Sequence, residues 1–252
     1  IGALPFVLSR EIPFFIDALF ETVSGFTTTG ATILGDVEAL SHASMLWRCL
    51  THWVGGMGVL VFMLIVLPLA GGQTIFLMRA ESPGPAVSKM SPHMRDTATI
   101  LYAIYFGLTV LQMILLLIGG MPLFDAICVS LGTAGTGGFG NWNDSIAHYN
   151  SAYLQNVITV FMILFGINFS AYFLILTRKF RQAFRIEEIR VYLGVIFVFA
   201  GLIAFNVRPM FGSLRESFHH ALFQVASIIT TTGFSSTDFN QWPALSKTVL
   251  VL

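Results

Sequence analysis

Four long stretches of this 252-residue chain carry no formal charge: residues 53–78, 97–124, 145–177 and 191–207 contain no Asp, Glu, Lys or Arg. About 20 apolar residues suffice to cross the hydrocarbon core of a bilayer, so each run predicts a membrane-spanning helix. Composition agrees, with 55% apolar residues, 10% charged residues and a mean hydropathy of +0.78, values that water-soluble domains rarely reach. The chain opens on IGALPFVLS with no basic leader and stops at KTVLVL inside an apolar run. Both ends read as stumps of further helices, in a piece cut from something longer. The expected fold class is an all-α membrane protein.

Several functions are excluded by what is missing. Thirteen basic residues balance thirteen acidic ones, which leaves no surplus positive charge for nucleic acid. Cys49 and Cys128 stand outside any CxxC or Cys/His array, and the six histidines lack the grouping of a transition-metal site. No nucleophile has a base and an orienting group at a recognisable spacing, so an enzyme is not expected.

The charges that exist are unevenly placed. Arg79, Lys89 and Arg95 follow the first run, and Arg178, Lys179, Arg181, Arg185 and Arg190 follow the third. By the positive-inside rule the linkers 79–95 and 178–190 face the cytoplasm. The opposite side then carries a net negative charge, which concentrates cations there.

The segments between the runs repeat. IDALFETVSGFTTTGATIL, FDAICVSLGTAGTGGFGNW and HHALFQVASIITTTGFSSTDF align so that Asp17, Asp125 and His220 each stand thirteen residues before Gly30, Gly138 and Gly233. Each copy predicts a short helix, then a Thr/Gly string, then a polar loop and a new span. Spacings of 108 and 95 residues suit a duplicated membrane module rather than a solenoid. Pro13 and Pro122 precede two of the half-helices, and Asp17 and Asp125 sit where a carboxylate can cap free amides.

Irregular backbone at membrane depth survives only when buried in protein or lining an aqueous path. A row of carbonyl oxygens that replaces the hydration shell of a cation is one such path, and it favours Gly wherever positive φ or an open lumen is required. The half-helices would add the negative ends of their dipoles. The competing reading is that each string merely ends a re-entrant packing helix; three copies at one offset favour the path.

At SGFTTTGATIL (24–34), THWVGGMGVLVF (51–62), MRAESPGP (78–85), AGTGGF (134–139) and SIITTTGF (227–234) the chain resembles the Trk/Ktr/HKT superfamily of potassium transporters, nearest the bacterial TrkH-like membrane subunits. The resemblance runs through essentially the whole chain. It implies helix, pore-helix, helix modules around a pseudo-fourfold pore: a first at 1–80 and a third at 181–252, each with one helix truncated, a second at 81–180, and a fourth that is absent. It implies a K⁺ filter of Thr27, Thr28, Thr29, Gly30 and Ala31; Gly135, Thr136, Gly137, Gly138 and Phe139; and Thr230, Thr231, Thr232, Gly233 and Phe234. Glycine in all three filter positions points to potassium rather than sodium. In the second copy Gly137 and Gly138 compete for the filter position, and the shared Phe favours Gly138.

The resemblance further implies K⁺ as the permeant ion with no organic cofactor, a homodimer on a cytoplasmic ring of nucleotide-binding regulatory subunits, and the bacterial inner membrane with filter loops outside. The basic linkers could contact that ring or simply set topology. Ion-coupled symport with alternating access is the alternative mechanism, and a non-transport membrane scaffold the alternative from another class.

Four further readings concern single residues. Gly55, Gly56 and Gly58 suit close helix packing. Asn168 borders an inner cavity or bonds between helices. Glu21 faces a pore entrance or a buried partner. Trp47, Trp53, Trp142 and Trp242 suit anchoring at the membrane interface.

Overall fold

The structure, a computed structural model, describes residues 1–66, 94–176, 178, 179, 182 and 186–251. Among these residues there is no β-strand. The helices, in chain order, are α1 (Leu4–Leu8), α2 (Phe15–Phe26), α3 (His42–Val66), α4 (Met94–Ile118), α5 (Leu123–Ala134), α6 (Ala152–Phe165), α7 (Phe169–Leu176), α8 (Glu187–Val207), α9 (Leu214–Ile229) and α10 (Ala244–Val251). The second part of the first apolar run, the MRAESPGP motif and linker residues 79–93 lie outside the described residues.

Two stretches, Thr99–Ile118 and Glu187–Met210, are long and apolar enough to cross a membrane. Their outward faces carry exposed Phe106, Leu111, Ile114, Phe197, Leu202 and Phe205, as contact with lipid requires. The third run departs from expectation, because it is not one helix. α6 ends at Phe165, with Gly166 as its C-cap, and α7 begins at Phe169. Two tyrosine hydroxyls accommodate the break: Tyr192 donates to the Ile163 carbonyl at 3.2 Å and Tyr172 to the Leu164 carbonyl at 2.6 Å. A side chain on Gly166 would overlap the Tyr192 hydroxyl, so the breaking residue is also the one that fits.

The three predicted half-helices are α2, α5 and α9, of 12, 12 and 16 residues. A core of Leu116, Val129, Ile158, Met162, Phe223 and Phe234 joins α4, α5, α6 and α9 to the loop after α9. Ile196, Ala200, Ile203, Ala221 and Val225 seal α8 against α9. α3 runs between two half-helix ends. A methyl group on Gly55 would overlap the Phe26 carbonyl, and one on Gly56 would sit 2.8 Å from the α-carbon of Gly135. Both therefore serve close packing, whereas Gly58 has only ordinary contact space.

Neither Asp17 nor Asp125 caps its helix; the N-caps are Phe14 and Pro122, without side-chain hydrogen bonds. Pro122 offers no side-chain acceptor, and Asp125 has been drawn elsewhere, as described below. The tryptophans also turn inward. Trp242 is buried, Trp47 donates to the Gly2 carbonyl at 2.9 Å, Trp53 to Thr109 at 3.2 Å and Trp142 to Tyr149 at 2.9 Å. The indoles of Trp47, Trp53 and Trp142 have protein acceptors at hand, whereas Trp242 is buried without one among the described residues.

Candidate functional site

Each half-helix ends in the same way. In the first copy the amide of Thr28 donates to the Gly25 carbonyl and that of Thr29 to Ser24, both at 3.0 Å. In the second, Thr136 donates to Thr133 at 3.0 Å and Gly137 to Gly132 at 3.2 Å; in the third, Thr231 donates to Ile228 at 3.0 Å and Thr232 to Ser227 at 2.9 Å. This is the Schellman arrangement, which consumes orphan helix carbonyls and needs a left-handed residue just past the cap. Here that residue is Thr every time, with φ of 54° at Thr28, 52° at Thr136 and 56° at Thr231. Left-handed backbone is costly for a β-branched side chain, by about 1–3 kcal/mol, and persists where the surroundings over-determine it.

Two residues later the left-handed conformation recurs at Gly30 (76°), Gly138 (71°) and Gly233 (84°). Gly138 thus matches Gly30 and Gly233, while Gly137 takes the place of Thr29 and Thr232. The carbonyls of residues 27–30, 135–138 and 231–233 accept no hydrogen bond from the described residues. The first three or four amides of each string are turned back into its own helix, so the carbonyls are left for something else.

The strings also touch one another in chain order. A methyl group on Gly30 would overlap the carbonyl oxygen of Gly137, and one on Gly138 would overlap that of Thr232. The glycine of the first copy therefore abuts the second, and that of the second abuts the third. Gly233 has nothing within 4 Å of the corresponding point.

Hydroxyls brace the strings from behind. Ser24 donates to the Ala31 carbonyl at 2.5 Å and Ser227 to Phe234 at 2.6 Å; the second copy has Gly132 there, packed directly on the Phe139 carbonyl. Thr27 bonds Thr29 at 2.8 Å, and Thr230 bonds Thr232 at 2.7 Å. These threonine oxygens therefore hold backbone and each other.

A third recurrence escaped the sequence reading. Three residues beyond the left-handed glycine, each loop is tied to its own half-helix by a titratable side chain. Glu21 accepts from the Ile33 amide at 3.0 Å, Asp125 from Asn141 Nδ2 at 2.7 Å, and His220 pairs with Ser236 at 3.0 Å. Asp125 also accepts from the Tyr149 hydroxyl at 2.5 Å and Trp142 Nε1 at 3.3 Å. Glu21 is buried and paired with Arg48. The thirteen-residue offset hid this set, since Glu21 lies one helical turn beyond Asp17.

The loops after the first and second strings are joined by Asn143, which donates to Asp36 at 2.7 Å and accepts from the Val37 amide at 2.9 Å. That side-chain bond, with the amide of Glu38, holds the Asp36 carboxyl below its ordinary range. His52 is buried behind the second string; it stacks on Phe139 at 3.8 Å and accepts from the Phe139 amide at 3.3 Å through Nδ1. Asn168 lies apart from the strings, in the break after α6, and donates to Glu188 at 3.3 Å. The described residues contain no group of three or more His, Cys, Asp or Glu able to hold a metal ion.

Three short backbone segments of one conformation thus meet in sequence, within a helical fold that has two stretches able to cross a membrane and with carbonyls that accept nothing from the described residues. The family of TrkH cation transport proteins matches residues 1–252, and the chain belongs to it. It is 36% identical to the Trk system potassium uptake protein TrkH of Salmonella typhimurium, over all of this chain and 53% of that protein. The Trk system potassium uptake protein TrkG of Escherichia coli is 35% identical over the same shares. The crystal structure of the potassium transporter TrkH from Vibrio parahaemolyticus superposes with a TM-score of 0.82 at 29% identity, covering 99% of this chain and 52% of that one. The chain spans about half the length of these relatives.

Proposed function

We propose that this chain is the pore-forming part of a potassium uptake protein, with K⁺ passing along the strings 27–31, 135–139 and 230–234 on the carbonyls that take no donor among the described residues, those of 27–30, 135–138 and 231–233. The observation that carries the reading is the successive contact of the three strings, Gly30 on Gly137 and Gly138 on Thr232. Oxygens without donors, held by strained but repeated backbone, are suited to replace water around a weakly hydrated cation. The C-terminal ends of α2, α5 and α9 add partial negative charge at the same place. The names of the relatives, all Trk potassium uptake proteins, support K⁺ as the ion.

In this reading residues 1–80, 81–180 and 181–252 are three pore modules, and a fourth string packs against Gly233. The outer side holds the loops after the strings, and linkers 79–95 and 178–190 lie in the cytoplasm of a bacterial cell, beneath the inner membrane. The protein works as a homodimer on a nucleotide-binding regulatory ring. Asn168 and Glu188 border the inner end of the path. An inside-negative potential drives entry with about 2.3 kcal/mol per 100 mV for each ion.

Growth of an uptake-deficient bacterium on limiting potassium tests the reading. The complete chain restores growth, and its Gly233→Ser variant fails at low K⁺ or admits Na⁺. Growth and K⁺ flux indifferent to that change contradict it. Unitary currents through the complete chain separate a carbonyl-lined channel from alternating access.

A further inference from the structure

One buried ion pair reaches two strings at once. Glu21, 1% exposed on α2, binds Arg48, 3% exposed on α3, and also accepts from the Thr32 hydroxyl at 2.9 Å and the Ile33 amide at 3.0 Å. Thr32 directly follows the first string, so the carboxylate fixes the outgoing end of a segment whose other end is fixed by the Schellman bonds. From Glu21 the charge network crosses to the second copy. The guanidinium of Arg48 lies 3.5 Å above the ring of Phe139, the last residue of the second string, and reaches the Gly140 carbonyl at 3.4 Å.

The rest of α3 reinforces this grip. Cys49 approaches the Phe139 carbonyl at 3.8 Å, and His52 covers the other face of the ring. Among the described residues no ion pair bridges the second and third strings. Phe234 sits instead in an apolar cluster with Leu116, Ile158 and Phe223. The brace is thus specific to the contact between the first and second strings, and in the second and third copies Val129 and Gln224 occupy the positions corresponding to Glu21.

We infer that the Glu21–Arg48 pair is a positioning element for ion selection: it fixes the separation of the first and second strings and so opposes their closing around a smaller cation. The physical reason is that carbonyls select by the size and field of the ring they form, and a ring is only as selective as its resistance to collapse. Moving the first string toward the second would press the Glu21 carboxylate onto the Arg48 guanidinium and the guanidinium onto the Phe139 ring, which are already in contact, whereas moving it away would leave an unpaired charge in a buried site. Neither side chain touches the ion. This inference rests on the proposed potassium path.

The test is competitive uptake of K⁺ and Na⁺ by the complete protein in proteoliposomes. Single charge removals risk misfolding, so the principal variant is Glu21→Met with Arg48→Met, since paired apolar replacements of buried ion pairs generally fold. The double variant is expected to reach the membrane in wild-type amounts, while its preference for K⁺ over Na⁺ falls about tenfold. Arg48→Lys, which keeps the charge but lacks the flat guanidinium that covers the ring, should retain an intermediate preference and decides the matter if the double variant does not accumulate. A wild-type K⁺/Na⁺ ratio in whichever variant is present overturns the inference while leaving potassium transport intact. Absence of K⁺ uptake by the unsubstituted protein overturns the transport reading and the inference with it.

Discussion

Gly138 lies so close to Thr232 that a β-carbon on the glycine would occupy the space of the threonine's carbonyl oxygen. The second and third strings are therefore in backbone contact, with no side chain between them. Gly138→Ala must overcome both this overlap and a φ of 71°. A destabilisation of at least about 2 kcal/mol is expected, together with loss of uptake. Gly233 has a φ of 84° and open space at the same point, so within these three modules Gly233→Ala should cost about 1 kcal/mol. Thermal unfolding of the purified variants checks the order; equal losses would show that backbone conformation, rather than contact, sets the requirement.

Thr136 adopts a φ of 52° and makes no side-chain hydrogen bond to the described residues. Asn tolerates left-handed backbone where a β-branched residue does not. Thr136→Asn should therefore raise stability by about 0.5–1 kcal/mol. Denaturation in detergent reads this directly, and a loss of stability would mean that the Thr methyl group packs more favourably than its backbone is strained.

How the chain announces these features differs from one to the next. The three half-helices and their strings were legible because apolar periodicity, Pro13 and Pro122, and the TTTG spelling are local. Left-handed Thr was not, since Thr is a poor left-handed residue and only the tertiary setting imposes it. Asp125 looked like a cap because it opens a helix, yet its partners Asn141 and Tyr149 lie far along the chain. Arg48 and Glu21 are separated by a full loop, so composition alone offers no sign of their pairing. The break at Gly166 was hidden because apolar content marks membrane depth and not helical continuity.

Asp125 is 8% exposed and carries three side-chain donors. Asp125→Asn keeps the shape but removes the charge that strengthens those bonds, and should cost about 2–3 kcal/mol. Tyr149→Phe removes one donor, leaving Asn141 and Trp142, and should cost about 1.5–3 kcal/mol. A double-mutant cycle on thermal stability checks whether the two losses overlap; strict additivity would deny the coupling.

The link between the loops after the first and second strings has a pH signature. Because Asn143 and the Glu38 amide hold the Asp36 carboxyl below its ordinary value of 3.8, the charged form is favoured in the folded state. Its contribution is present above pH 3.8 and is lost as pH falls through the lower folded value. Asp36→Asn should remove that component of acid sensitivity. Chemical denaturation at pH 5 and at successively lower pH compares the two proteins, and identical slopes would show that the Asn143 contact carries no linkage.

The central claim is that main-chain oxygens of three repeated strings share one ion path. Anomalous diffraction from crystals of the complete protein in rubidium, a heavy stand-in for potassium, tests it most directly. The account predicts scattering peaks on a common line encircled by the carbonyls of Thr29, Gly137 and Thr232 and their neighbours in the strings. Rubidium bound elsewhere, with no peak between those oxygens, would contradict it.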